Sequence, residues 1–301
     1  MTGAPPDEYR HVRGCVNVVA SQLKSVGAHC EVEARLGRVL LDESTGRSYF
    51  RPGVDEDFAA RLLCELETSD VWSEITPWVQ SIDRFYLLPT GLEARTTTSV
   101  PYRCGQDVIA DPPTYEISHI IKTVVSSKNF KWGDGSGRRD DVEKKVPAVV
   151  GVAGGVVGGA APPTGDAPMT PIAPYDIRVS VKREEPVFAT ELQERVDDLN
   201  MVRVKHRKQF LYTSTGEDKP SWSIDITLVW QSHTFLDAIE ALQQGITPSY
   251  EVEVECMRPL ETLRRKGADT TALSLLLKTA DLFLSTGLVT PGHVLQSASD
   301  K

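Results

Sequence analysis

Apolar positions along the chain follow two periods. In eight segments, near 29–38, 82–88, 91–98, 115–125, 176–184, 200–212, 222–230 and 249–258, apolar residues mostly recur at every second position, the signature of β-strands. Elsewhere they recur at helical spacing. Residues 9–26 place Val12, Val16, Val19, Leu23 and Val26 on one face. A second helix is expected over 55–68 with Phe58, Leu62, Leu63 and Leu66 as its stripe, and a third over 234–243 with Phe235, Leu236, Ile239 and Leu242. The last, roughly 260–286, is leucine-rich over more than one stripe, which predicts deep burial. No internal repeat is present.

The strands are unusual in what alternates with the apolar residues. Glu31, Glu33 and Arg35 share a face opposite Val32, Ala34 and Leu36, and Glu251, Glu253 and Glu255 oppose Val252 and Val254. Arg203, Lys205 and Arg207 form a basic row, and Asp176, Arg178, Ser180, Lys182 and Glu184 share a face against Ile177, Val179 and Val181. Asp225 and Thr227 alternate with Ile224, Ile226 and Leu228; Glu93 and Arg95 share a face; Lys122 lies in a further strand. For any one strand a solvated polar face is the simpler explanation. The set argues otherwise. Glutamates about 7 Å apart along a strand repel one another, yet acidic rows occur at both ends of the chain with a basic row between them. A closed eight-stranded antiparallel β-barrel turns these faces inward and its apolar face outward. Four amphipathic helices are available to cover that outer face. The fold class expected is therefore α+β, a barrel with a charged lumen and helices packed outside.

Composition narrows the chemistry. The chain has 301 residues and a net charge of −9, which disfavours a non-specific coater of duplex nucleic acid. No apolar run is long enough for a membrane-spanning helix, and no basic segment followed by an apolar stretch suggests a secretory signal. Five cysteines, at 15, 30, 64, 104 and 256, have no zinc-site spacing and fit reduced thiols of cytosol or nucleus. Residues 1–8 read as a disordered lead. Residues 133–174, rich in Gly, Ala and Pro, read as a flexible insertion within a single domain spanning 1–301. There is no P-loop and no HExxH. His29-Cys30 followed by Arg35 superficially suits a cysteine phosphatase loop, but it lies on a strand and lacks glycines to turn amides toward a phosphate. An ordinary buried thiol is the simpler reading of Cys30.

A lumen with carboxylates on one wall and cations on another suits a phosphoanhydride substrate. Carboxylate oxygens take hard cations such as Mg²⁺ or Mn²⁺, and Arg and Lys take phosphate oxygens. Hydrolysis would then need no protein nucleophile.

Five motifs in order resemble the fungal and protozoal mRNA-capping RNA 5′-triphosphatases, within the triphosphate tunnel metalloenzymes. These are Glu31-Val-Glu33-Ala-Arg35-Leu-Gly37; Arg178-Val-Ser180 running to Glu184-Glu185-Pro186; Arg203-Val-Lys205-His-Arg207; Ile224-Asp225-Ile226-Thr227; and Glu251-Val-Glu253-Val-Glu255. Each is weak alone. The resemblance implies Glu31, Glu33 and Glu255 as ligands of Mg²⁺ or Mn²⁺, with Glu251 and Glu253 supporting the acidic wall. It implies phosphate contacts from Arg95, Lys122, Lys205 and Arg207, with Arg203 nearby; Arg178 and Lys182, on the face of Glu184, join that basic set. Glu184 would position the attacking water, and Asp225 would brace the basic residues. The activity implied is release of the γ-phosphate from triphosphate-ended RNA, the first step of capping, with manganese-dependent NTP hydrolysis beside it. A guanylyltransferase partner and a nuclear location follow from the same resemblance; DNA and membranes do not. Ser223 departs from the family, which often carries a basic residue there.

Two alternatives stand beside this reading. An inorganic or thiamine triphosphatase shares the tunnel but often begins its glutamate strand near the N-terminus, whereas a whole helix precedes Glu31 here. A non-catalytic polyphosphate- or RNA-binding barrel would need the basic row but not two glutamate rows.

Overall fold

A computed structural model describes residues 11–24, 30–88, 90–101, 116–133, 175–188, 199–257, 267–286 and 294–298. The expected lead at 1–8 and all but Gly133 of the expected insertion lie outside the described residues, as does Cys104. Eleven strands are described: β1 (Cys30–Asp42), β2 (Arg47–Pro52), β3 (Glu74–Ile75), β4 (Val79–Leu87), β5 (Glu93–Pro101), β6 (Glu116–Gly133), β7 (Asp176–Pro186), β8 (Leu199–Tyr212), β9 (Trp222–Ser232), β10 (Ser249–Cys256) and β11 (Val294–Ser297). The described helices are α1 (Arg13–Lys24), α2 (Glu56–Thr68), α3 (Phe235–Gln243) and α4 (Ala268–Ser285).

The sheet runs β10-β9-β8-β4-β5-β6-β7-β1, and β10 pairs with β1, which closes an eight-stranded antiparallel barrel. All eight strands match the period-two segments of the sequence. The other three strands are additions at the margins: β2 pairs with the far half of β1, β3 with β8 and β11 with β6. They are short, and their sequences alternate weakly, so periodicity did not reveal them. β6 carries a bulge between Val124 and Ser126, which exchanges the faces of its two halves.

Alternation places the apolar residues outside, under helices. Val32, Ala34, Leu36, Val179, Val181, Ile224, Ile226, Val252 and Val254 pack in one core with Val19 and Leu23 of α1, Phe58 and Leu62 of α2, and Leu275, Leu276 and Phe283 of α4. Each such fully buried Val, Leu, Ile or Phe side chain contributes about 1.5–3 kcal/mol. Asp55 caps α2, its carboxylate accepting from the Phe58 amide at 2.8 Å, and α3 begins on Thr234 in the same way. A smaller core seats α3 on the outer face of β8 and β9 through Val202, Val204, Trp230 and Ala238. The expectation that charges face inward and helices cover the apolar outside is met. Among the described residues no helix is long and apolar enough to cross a membrane.

Candidate active site

Because apolar side chains face out, the charged rows meet across the lumen. Register sets the neighbours. Glu33 stands opposite Glu255, and Arg35 opposite Glu253, across β1 and β10. Asp225 faces Glu253 across β9 and β10. Three clusters result.

The first joins β1, β5, β6 and β7. Lys122 Nζ lies 2.6 Å from Glu31 and 2.7 Å from Glu184, and Arg95 reaches Glu184 at 3.6 Å. Burial pushes the Glu31 carboxyl up, and Glu184 beside it adds to that against the pull of Lys122. Burial acts the same way on Glu184, but hydrogen bonding with Glu31 and the cations Lys122 and Arg95 outweigh it, so Glu184 is held below the usual carboxylate range. Lys122 bridges the two carboxylates, and Glu184 is the one that also has Arg95 within reach.

The second cluster joins β1, β7 and β10. Lys182 donates to Glu33; Arg35 lies 2.9 Å from Glu33 and 2.8 Å from Glu253. Although burial opposes it, Arg35, Arg207, Lys182 and Lys205 hold the Glu253 carboxyl down at about 2. Lys182 is depressed, by burial first and by Arg35 second. Lys182 is thus committed to a glutamate in this structure.

The third cluster carries the basic row of β8. Arg203 pairs with Glu251 at 2.5 Å, Lys205 with Asp83 at 2.5 Å, and Arg207 with Asp225 at 3.4 Å. Gln209 donates to both Asp225 oxygens, at 3.2 and 3.1 Å, and the Ser223 hydroxyl donates to the same carboxylate. At the position where a basic residue is often expected, Ser223 thus supplies Asp225 with a neutral donor. Asp83 went unnoticed in the sequence. It lies on β4 with Ser81 and Phe85 on the lumen face, fully buried, and accepts from Thr97 at 2.8 Å. Its only sequence signal was its place in the alternation of Ser81, Asp83 and Phe85.

Arg178 stands apart from these clusters. Its Nε donates to Asn129 at 2.9 Å, and its guanidinium lies 4.5 Å from the centre of the Phe50 ring. Cys30 faces outward with Val32, against the helical core and away from the lumen.

Glu31, Glu33 and Glu255 share the lumen faces of adjacent strands but do not converge. Among the described residues no three His, Cys, Asp or Glu side chains lie close enough to hold a metal ion. The donor chemistry nevertheless suits a hard divalent cation. No cation lies within ion-pair range of Glu255 among the described residues. Its carboxyl is pushed up to about 8, by burial first and then by Glu31, Asp225 and Glu253. Lys122 opposes this rise without cancelling it.

No protein-family model matches the chain, and no curated protein matches it by sequence. Solved structures do. The RNA triphosphatase Pct1 of S. pombe, solved in complex with the Spt5 CTD, superposes with a TM-score of 0.54 at 14% identity, covering 96% of this chain and 97% of that one. The RNA triphosphatase domain of a mimivirus mRNA capping enzyme matches at 15% identity with a TM-score of 0.43, covering 90% of this chain and 97% of that one. The first likeness shows that this chain shares its barrel fold with that RNA triphosphatase.

Proposed function

We propose that the protein is a metal-dependent RNA 5′-triphosphatase that releases the γ-phosphate of triphosphate-ended RNA and leaves a diphosphate end, with NTP hydrolysis as an accompanying activity. One observation carries the reading: a closed lumen in which a basic row on β8 faces glutamate rows on β1 and β10. Partly buried rows of charge of both signs are costly to desolvate, so a lumen of this kind points to a polyanion and its counter-cation. The barrel shared with the S. pombe enzyme supports the substrate class.

In this reading Arg95, Lys122, Lys205 and Arg207 bind the phosphoryl oxygens and stabilise charge on the transferred group. Glu184, kept as an anion, orients the attacking water and takes its proton. Glu251 and Glu253 hold Arg203 and Arg35, and Asp225 holds Arg207. Glu31, Glu33 and Glu255 would hold Mg²⁺ or Mn²⁺, which when bound polarises the terminal phosphate. Lys122 pairs with Glu31 and Lys182 with Glu33. We further propose action in the nucleus beside a guanylyltransferase, on the strength of the proposed capping role.

The test is phosphate release from triphosphate-ended RNA, ATP, inorganic triphosphate and thiamine triphosphate, each with Mg²⁺, with Mn²⁺ and with EDTA. Preference for RNA in the presence of metal is expected. Preference for inorganic or thiamine triphosphate would assign the tunnel to that chemistry instead, and full activity in EDTA would remove the metal.

A further inference from the structure

We infer that Arg178, clamped by Phe50 and Asn129, is a second anion subsite of the lumen that grips a backbone phosphate of the RNA chain rather than the terminal triphosphate. The inference rests on the reading of the tunnel as an RNA triphosphatase.

The first ground is charge accounting. Seven other lumen cations, Arg35, Arg95, Lys122, Lys182, Arg203, Lys205 and Arg207, each have a carboxylate in ion-pair range. Among the described residues Arg178 has none, and the residue opposite it in the β1–β7 register is another cation, Arg35. A guanidinium cannot escape by losing its proton. An arginine kept half-buried against a like charge awaits an anion.

The second ground is that the group is held, not loose. Nε is committed to Asn129 at 2.9 Å, which leaves the donors of both terminal nitrogens for a ligand. Phe50 covers one face of the guanidinium at 4.5 Å. The Phe50 ring is itself only 7% exposed. It rests on Gly37, where an added Cβ would meet the ring at 2.7 Å and the Arg51 carbonyl at 2.3 Å. Only glycine allows β2 this close to β1. The clamp thus comes from a strand outside the barrel, laid across the end of β1.

The third ground is position. Arg178 and Glu184 lie six residues apart on β7, about 20 Å at roughly 3.3 Å per residue. That is too far for both to grip one phosphoryl group. A chain whose triphosphate lies at Lys122 and Glu184 and which runs along the lumen toward Gly37 brings a later phosphate to Arg178.

The experiment compares steady-state hydrolysis of inorganic triphosphate, ATP and a short triphosphate-ended RNA by the wild type, Arg178→Ala, Arg178→Lys and Phe50→Leu, each checked for folding by thermal melting. The expected result is a kcat/KM for RNA, relative to inorganic triphosphate, lowered roughly tenfold in Arg178→Ala, mostly through KM, and less in Phe50→Leu. That factor corresponds to about 1.4 kcal/mol. The salt dependence of log KM for RNA should also flatten by about 0.7, the slope for one phosphate on a single strand. A merely structural role would leave that slope unchanged. Equal losses on all substrates, or an unmoved salt slope, overturn the inference. Binding of a hydroxyl-ended RNA of equal length separates this idea from the parent reading. Weaker binding by Arg178→Ala in a protein that hydrolyses nothing would sink the triphosphatase and leave the subsite standing.

Discussion

Asp83 and Lys205 form a deeply buried lumen pair, with side-chain exposures of 6% for the lysine and 1% for the aspartate. Burial pushes Lys205 down to about 8, with Arg207 and Arg95 adding to the effect and Asp83 opposing it. On Asp83 burial acts upward, but Lys205, Arg95 and the Thr97 hydroxyl outweigh it and hold the carboxylate low. The pair is therefore ionic at neutral pH, but Lys205 retains its proton by a small margin. Its folded value lies below its unfolded one of 10.5. It therefore costs stability below pH about 8, a cost relieved as pH rises from there toward 10.5. Replacing Asp83 with Asn removes a charge-assisted hydrogen bond worth about 1.5–3 kcal/mol. At about 1.36 kcal/mol per pKa unit this is roughly one to two units. Lys205 then falls further below its wild-type value and loses charge at pH 7.5. If Lys205 must be charged to hold phosphate, kcat/KM for triphosphate-ended RNA should fall on the alkaline side near pH 8 in the wild type. In Asp83→Asn that limb should move about one to two units toward acid, with activity partly restored near pH 6. Phosphate release measured across pH in both proteins is the assay. An unmoved alkaline limb in a folded Asp83→Asn protein would refute the reasoning.

Three further outcomes are expected. Glu255→Gln removes a carboxyl whose folded value of about 8 lies above its unfolded one. Stability therefore falls in the wild type as pH rises from about 4.5 to 8, and the variant should melt higher at pH 7 in EDTA, by on the order of 3 kcal/mol at most, while losing turnover. A lower melting temperature would contradict this. Mg²⁺ or Mn²⁺ should raise the melting temperature of the wild type but not of Glu33→Ala, which should be inactive yet folded; a metal-induced shift in Glu33→Ala would exclude Glu33 as a ligand. Cys30→Ser should retain nearly full activity, since the thiol faces the helical core, and loss of activity in a folded protein would revive a nucleophilic cysteine.

The sequence alone determined which segments are strands, which face of each is charged and that helices cover the other face. These are local properties: alternation of period two assigns a side by itself, and Glu251, Glu253 and Glu255 must share one face wherever their strand goes. The barrel strands and helices were legible for that reason. Short marginal strands such as β2 carry too few alternating positions to be read. Only the tertiary structure decided which charge meets which. Lys122 meets Glu31 because β7 lies between their strands at one register. Lys205 meets Asp83 because β4 joins β8 in the barrel order. The same pairings tie Glu31 and Glu33 to lysines while Glu255 has no ion-pair partner among the described residues, and set Arg178 apart on Phe50. Barrel closure brings together residues more than a hundred positions apart, and the shear between strands selects each partner. No pattern along a single strand contains that information.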